Sequence, residues 1–298
     1  MKVLVVGCGS IGTRRGRILA KMGHRIGVLE PEGPRRVIAD GLDPYAWYSD
    51  WAPLKQDTEE AWDAAVICTP PDSGRPEQIR ACLGLGVKGL FVEKPLVMTL
   101  AEVDEIAALD YGDVVTMGAC NLRWGYPQWN ERCFNVSDVD RAAFHLYYPL
   151  DDWRPGARET YHRHGVVMMA AMHELDLAAS YFGPFTTLRR STPARDHDVF
   201  VGEGIHANGV TSSFHVDWSQ NAGEHFRGVL WWLHGAMLGR VDDGKHFKDV
   251  AWSDGRTPDE SYAREMRHFL ECVEAGTQTC NPLRQAAEVC ARALEVVS

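Results

Sequence analysis

Several stretches of this sequence combine residue types and spacings that do chemistry. Gly7-Cys8-Gly9-Ser10-Ile11-Gly12 directly follows an apolar run of β-formers and opens an amphipathic segment. Glycines at those places allow a tight turn, bring bare backbone against a pyrophosphate and let helix pack on strand, with the helix N-terminus facing the phosphate charge. Glu30 ends the next apolar run, at about the 20-residue separation expected of a carboxylate that accepts hydrogen bonds from ribose hydroxyls. A carboxylate there repels a 2′-phosphate and so favours NAD. Arg35 and Arg36, a few residues on, either reach such a phosphate, which keeps NADP open, or are solvated loop charges.

Glu93-Lys94-Pro95 closes another apolar run, at the strand end where an open parallel sheet collects ligand groups, and makes Lys94 a candidate acid or hydrogen-bond donor. Cys68-Thr69-Pro70-Pro71 ends a further strand in a stiff turn, a wall suited to a nicotinamide ribose. His173 stands behind seven consecutive apolar residues in GVVMMAAMHELDL. On a helix it shares a face with Asp176, and Met169 and Ala170 occupy the turn before it, so it is either a packed histidine bonded to its neighbour or a proton-exchanging reagent. Arg123, Trp124, Trp153, Arg154, Arg158 and Tyr161 combine guanidinium forks with aromatic faces, the chemistry that takes carboxylates and sugar C–H surfaces, or that pairs structurally. His162 and His164 have no carboxylate or cysteine at ligand spacing, so no metal site is expected.

The elements that must carry these groups follow from periodicity. Apolar strands at 3–6, 25–29, 64–68, 89–92 and 114–117 alternate with helices at 11–22 and 76–85 and a helix opened by the capping box Thr99-Leu-Ala-Glu102, a parallel α/β pattern. Beyond Gly118 the strands alternate polar and apolar, as in 214–218 and 228–234, and imply a mostly antiparallel sheet. Helices are expected around His173, ended by Gly183-Pro184, at 261–274, stopped by Gly276, and at 282–297. The 298 residues suit two domains at about 150 each. The composition, 45% hydrophobic and 24% charged, is that of an ordinary globular protein. A net charge of −10 without a basic block argues against nucleic acid or an anionic membrane as partner. The eight cysteines are scattered without C-x-x-C spacing and read as reduced thiols; with no secretory or membrane-spanning run, a cytoplasmic protein is expected.

GCGSIG, ICTPPD, VEKPL at 92–96 and the histidine followed three residues later by aspartate in HELDL together resemble the glucose-fructose oxidoreductase, inositol dehydrogenase and MocA (Gfo/Idh/MocA) family, over nearly the whole chain. The resemblance implies an α/β chain: a Rossmann domain at 1–118 with a doubly wound parallel sheet, then an α+β domain at 119–298 with a large open, mostly antiparallel sheet that binds substrate and makes a homodimer or homotetramer. It implies hydride transfer between a sugar-like carbinol and NAD(P), with Lys94 on the reacting hydroxyl and His173 as acid/base. The aspartate that the family commonly carries three or four residues before the histidine is replaced here by Ala170 and Met169, and Gly74 stands where a histidine often follows the TPP turn. Two other readings therefore remain: retained NAD used for redox-neutral elimination or glycoside cleavage, and a nucleotide-binding sensor or subunit without catalysis.

Overall fold

The computed structural model describes residues 1–32, 41–57, 61–125, 138–147, 159, 163–193, 198–219, 226–234, 236–242 and 258–297. They form two compact units, Met1–Ala119 with Ser261–Ala287, and Cys120–Glu260 with Glu288–Ser298.

In the first unit, strands β1 (Lys2–Val6), β2 (Arg25–Leu29), β3 (Ala46–Tyr48), β4 (Ala64–Ile67), β5 (Gly89–Val92) and β6 (Val115–Gly118) make one parallel sheet in the order β3-β2-β1-β4-β5-β6. Helices α1 (Ser10–Lys21), α2 (Trp51–Gln56), α3 (Arg75–Gly84) and α4 (Leu100–Ala108) lie between the strands in sequence. Strand order reverses between β1 and β4, so the turns after those strands open the crevice in which α/β sheets bind ligands. All four residues of β4, and all four of β5, are buried, as expected of central parallel strands covered on both faces. The Thr99 hydroxyl accepts from the Glu102 N–H, and the Glu102 carboxylate accepts from the Thr99 hydroxyl and the Met98 N–H, so the capping box forms.

Sequence order places residues 261–287 far from this sheet, yet they complete it. The helix Pro258–Ala275 sets Phe269 edge-on to Phe91 of β5, with centroids 5.6 Å apart. A Cβ on Gly89 would lie 2.3 Å from Val273 Cγ2 of the same helix, so only glycine admits this close approach. After Gly276 (φ +65°), the chain runs along the edge strand β6. Gln278 donates to Val114 O at 2.9 Å and accepts from Thr116 N at 3.1 Å, the Thr279 hydroxyl donates to Thr116 O, and Asn281 Nδ2 donates to Gly118 O at 2.8 Å. Side chains thus satisfy the backbone groups that an open edge would expose.

The second unit holds α5 (Leu122–Gly125), β7 (Arg141–Tyr147), α6 (Met172–Phe182), β8 (Phe185–Arg190), β9 (Val199–His206), β10 (Thr211–Asp217), β11 (Phe226–Leu233) and β12 (Ala236–Asp242). Its sheet runs β12-β11-β7-β10-β9-β8, antiparallel except where β7 lies parallel to β10. Ala142, Phe144 and Leu146 of β7 alternate inward with Ser212, Phe214 and Val216 of β10, and Phe144 stacks on Phe214 at 5.3 Å. Burial leaves His206 no water, so its ring is paired at both nitrogens, with Gly183 O at 2.7 Å and the Ser212 hydroxyl at 2.8 Å.

Replacing Phe269 by Ala opens a cavity against Phe91 and is expected to lower the stability of the first unit by about 3–5 kcal/mol. Urea unfolding followed by circular dichroism measures it; a loss below about 1 kcal/mol would show that the helix does not stabilise the sheet.

Candidate active site

The glycine turn has three different glycines. Gly7 sits at φ +80°, and a Cβ there would meet Thr69 backbone N at 2.8 Å; a Cβ on Gly12 would lie 2.0 Å from Gly7 O. Both are imposed by packing. Gly9 is not: its φ is −67°, and a Cβ would meet nothing within 4 Å. Packing would accept a side chain at Gly9, and its absence leaves bare backbone at the N-terminus of the 12-residue α1, the shape a pyrophosphate requires. Ser10 and the half-buried Ile11 begin that helix.

Glu30 faces the same turn. Its Oε2 accepts from the Cys8 N–H at 2.7 Å and its Oε1 from the Glu32 N–H at 3.3 Å, which fixes the carboxylate at the mouth of the turn. Each carboxylate oxygen has a second lone pair for a hydroxyl donor. The residues present therefore fit a dinucleotide.

The turns after β4 and β5 are held by two arginines that the motifs do not include. Arg75, buried at the start of α3, donates to the carbonyls of Glu93, Pro95 and Leu96, and to Thr69 O at 2.6 Å. One guanidinium thus ties the Cys68-Thr69-Pro70 turn to the Glu93-Lys94-Pro95 turn, whose Lys94–Pro95 bond is cis. The Thr69 hydroxyl adds a bond to Gln78 Oε1 at 2.6 Å, and Pro70 O accepts from Ser73. Arg15 of α1 has no exposure at all and pairs with two carboxylates, Glu93 and Glu265. Burial opposes its charge, but Glu93 and Glu265 outweigh burial and hold the guanidinium protonated. Burial, reinforced by Glu93, pushes the Cys68 thiol and the Tyr262 hydroxyl up, so both stay neutral.

In the second unit the helix carrying His173 begins with a π turn, Val167–Ala171, in which the Met172 N–H reaches Val167 O. This corrects the uniform 3.6-residue spacing expected there: the turn preceding His173 contains an extra residue, a feature frequent at functional sites. His173 is half-buried and its carbonyl accepts from the Cys120 thiol at 3.9 Å. Asp176 makes a bidentate pair with Arg123 (Nε–Oδ2 2.5 Å, Nη2–Oδ1 2.8 Å), both side chains less than a tenth exposed. Burial raises Tyr181 despite the nearby Arg123. Trp124 is half-buried on α5 beside Arg123. Trp153, Arg154, Arg158 and Tyr161, with Arg35, Arg36 and His162, lie outside the described residues. Among the described residues no group of three or more His, Cys, Asp or Glu could hold a metal ion, and no helix is long and apolar enough to cross a membrane.

Motif reading passed over Arg15, Arg75 and Glu265. A signal for Arg15 existed, since it stands three residues after Gly12 and four before Leu19, on the buried face of α1. Nothing local marks Glu265, whose partner, Arg15, stands near the opposite end of the sequence.

Residues 1–117 match the family described as an oxidoreductase family with an NAD-binding Rossmann fold, which carries the resemblance read from the motifs. No curated protein matches the chain. Solved structures with the same fold include an oxidoreductase from Agrobacterium radiobacter in complex with NAD+, L-tartaric acid and magnesium (TM-score 0.76, 16% identity, covering 99% of this chain and 95% of that one). Another is myo-inositol 2-dehydrogenase from Lactobacillus plantarum (TM-score 0.76, 17% identity, 99% and 96%). A third is the WlbA dehydrogenase from Thermus thermophilus in complex with NAD and UDP-GlcNAcA (TM-score 0.74, 17% identity, 99% and 94%).

Arg75→Met removes the donor from several buried carbonyls at once and is expected to cost roughly 3 kcal/mol or more of stability, by urea unfolding. A change within about 0.5 kcal/mol would mean that water replaces the guanidinium and that the two turns are not held by it.

Proposed function

We propose that this protein, whose N-terminal residues match an NAD-binding oxidoreductase family, is an NAD-dependent dehydrogenase acting on a carbinol of a sugar, amino sugar, sugar acid or cyclitol. The observation that carries the cofactor half of this reading is Gly9, a glycine that packing does not require, beside a carboxylate already fixed to the turn. Solved relatives of the fold that act on inositol or hold NAD with a nucleotide sugar support the substrate class. NAD, when bound, supplies the hydride acceptor or donor. The turn N–H groups and the N-terminus of α1 take its pyrophosphate, and Glu30 accepts from the adenosine ribose hydroxyls while repelling a 2′-phosphate. The Cys68-Thr69-Pro70 turn walls the nicotinamide ribose.

In this reading Lys94 donates to the reacting hydroxyl and stabilises the charge that develops on its oxygen, and His173 exchanges the hydroxyl proton, which must leave as the hydride leaves. Trp124, Trp153, Arg154, Arg158 and Tyr161 recognise the sugar and its acidic substituents, with Arg123 contributing while it orders α6 through Asp176. The same reading has the second sheet pair with a further copy as a homodimer or homotetramer.

Fluorescence titration is expected to give tighter binding of NAD than of NADP, and Glu30→Ala to weaken NAD by about 1.5–3 kcal/mol while narrowing the difference. Equal or tighter NADP binding in the parent protein would refute the role of Glu30. Nicotinamide absorbance, monitored over a panel of cyclitols, aldoses, sugar acids and nucleotide sugars, is expected to identify a substrate for which Lys94→Ala and His173→Ala each lower kcat by roughly 100-fold or more at little change in cofactor affinity. Normal turnover by either folded variant removes that residue from the chemistry. NAD bound and never consumed on the panel would favour the redox-neutral or sensor reading.

A further inference from the structure

We propose that Arg15 and Glu265 are positioning residues for Lys94 and act on it through Glu93, an inference that rests on the role just assigned to Lys94. The Arg15 guanidinium places both Nε and Nη2 at 2.5 Å from one oxygen of Glu93, Oε1, and Nη2 also lies 2.8 Å from Glu265 Oε2. The other oxygen of Glu93, Oε2, accepts from the Lys94 N–H at 3.2 Å. Glu93 is therefore a bracket with one arm on Arg15 and the other on the backbone of Lys94. Its carboxylate cannot rotate without giving up charge-assisted bonds in a dry setting, which are the strong ones.

The setting is dry because the guanidinium lies over the ring of Phe91 at 4.4 Å and that of Tyr262 at 4.8 Å, and because Arg15 and Glu265 are wholly buried. Stability alone does not call for such a cluster, since well-packed apolar residues of similar volume serve a core as well or better. What the charges add is direction. Arg15 belongs to the helix whose N-terminus carries the glycine turn, and Glu265 to the helix that returns from the far end of the sequence to pack on β5. The position of Lys94 is thereby referred to the cofactor helix on one side and to the returning helix on the other. Arg75 fixes the carbonyls on either side of Lys94, so amide and carbonyls are restrained by different guanidinium groups.

The test uses the full chain with its lysines reductively methylated with ¹³C, the Lys94 resonance being assigned by its loss in Lys94→Arg. Replacing Glu265 by Gln removes one negative charge from the cluster and is expected to lower the titration midpoint of Lys94 by roughly half a unit or more, while the exposed Lys21 does not move. Arg15→Met, which removes a positive charge, is expected to raise that midpoint and to move the Lys94 resonance, and Arg15→Lys, which keeps the charge but loses the fork, to lie between it and the parent. NAD affinity is expected to stay within about twofold and, on a substrate from the panel, kcat of Arg15→Met to fall roughly tenfold or more. If Arg15→Met does not fold, Glu265→Gln and Arg15→Lys decide. A Lys94 titration and chemical shift identical to the parent in every folded variant overturns the inference. Turnover by Lys94→Ala is the separate control: if it is normal, the role of Lys94 in catalysis fails, while the resonance still reports whether Arg15 and Glu265 set that side chain.

Discussion

Burying a guanidinium without partners is too expensive for a domain of ordinary stability, and the first unit contains two that water does not reach, Arg15 and Arg75. That constraint organises the ligand-binding end of its sheet. Arg75 must find acceptors and finds them in the carbonyls of two loops, which are thereby tied together. Arg15 must find anions and finds Glu93 and Glu265, which ties α1, the end of β5 and a helix from the far end of the sequence. Loops that carry chemistry are ordinarily the most mobile part of an α/β sheet. Here the cost of unsatisfied charge holds them.

The glycine turn shows how packing and function divide a motif. Gly7 and Gly12 are fixed by the close approach of Thr69 and of Gly7's own carbonyl, so their presence says only that this turn packs tightly against the turn after β4 and against its own helix. A Cβ on Gly9 would meet nothing within 4 Å among the described residues, and for that reason it is the glycine of the three that speaks for a ligand. Glu30 makes the same point from the opposite direction: its bond to the Cys8 N–H fixes a carboxylate that would otherwise be a flexible surface group, so the group proposed to read the ribose is held in place by the protein itself.

In the second unit the π turn and the Arg123–Asp176 pair act on the same helix. An extra residue in Val167–Ala171 rotates the helix before His173, and the bidentate bond to Asp176 anchors it just after. His173 stands between these two restraints. Its environment differs from that implied by ordinary helical spacing, because the turn upstream is wider than 3.6 residues.

Much of this protein was legible from its residues in order. The alternation of short apolar strands with amphipathic helices, the glycine turn after β1 and the carboxylate ending β2 are local patterns, and local patterns survive translation into structure because strand and helix periods are properties of a few consecutive residues. The change to a second sheet near Gly118 was visible for the same reason. What the order of residues does not contain is which distant segments meet. The helix carrying Phe269 and Glu265 reads as one more amphipathic helix, and only the folded chain places it on β5, gives Gly89 its reason to be glycine, and lays Gln278 and Asn281 along the open edge of β6. Arg15 reads as a charged helix residue until the strand behind it supplies Glu93. Asp176 reads as a possible partner of His173, and the fold adds a bidentate bond from Arg123 that the order of residues does not announce. A buried charge has no periodicity of its own. Its meaning is decided by the partner that tertiary structure brings within hydrogen-bonding distance, because only there does desolvation make the pairing obligatory.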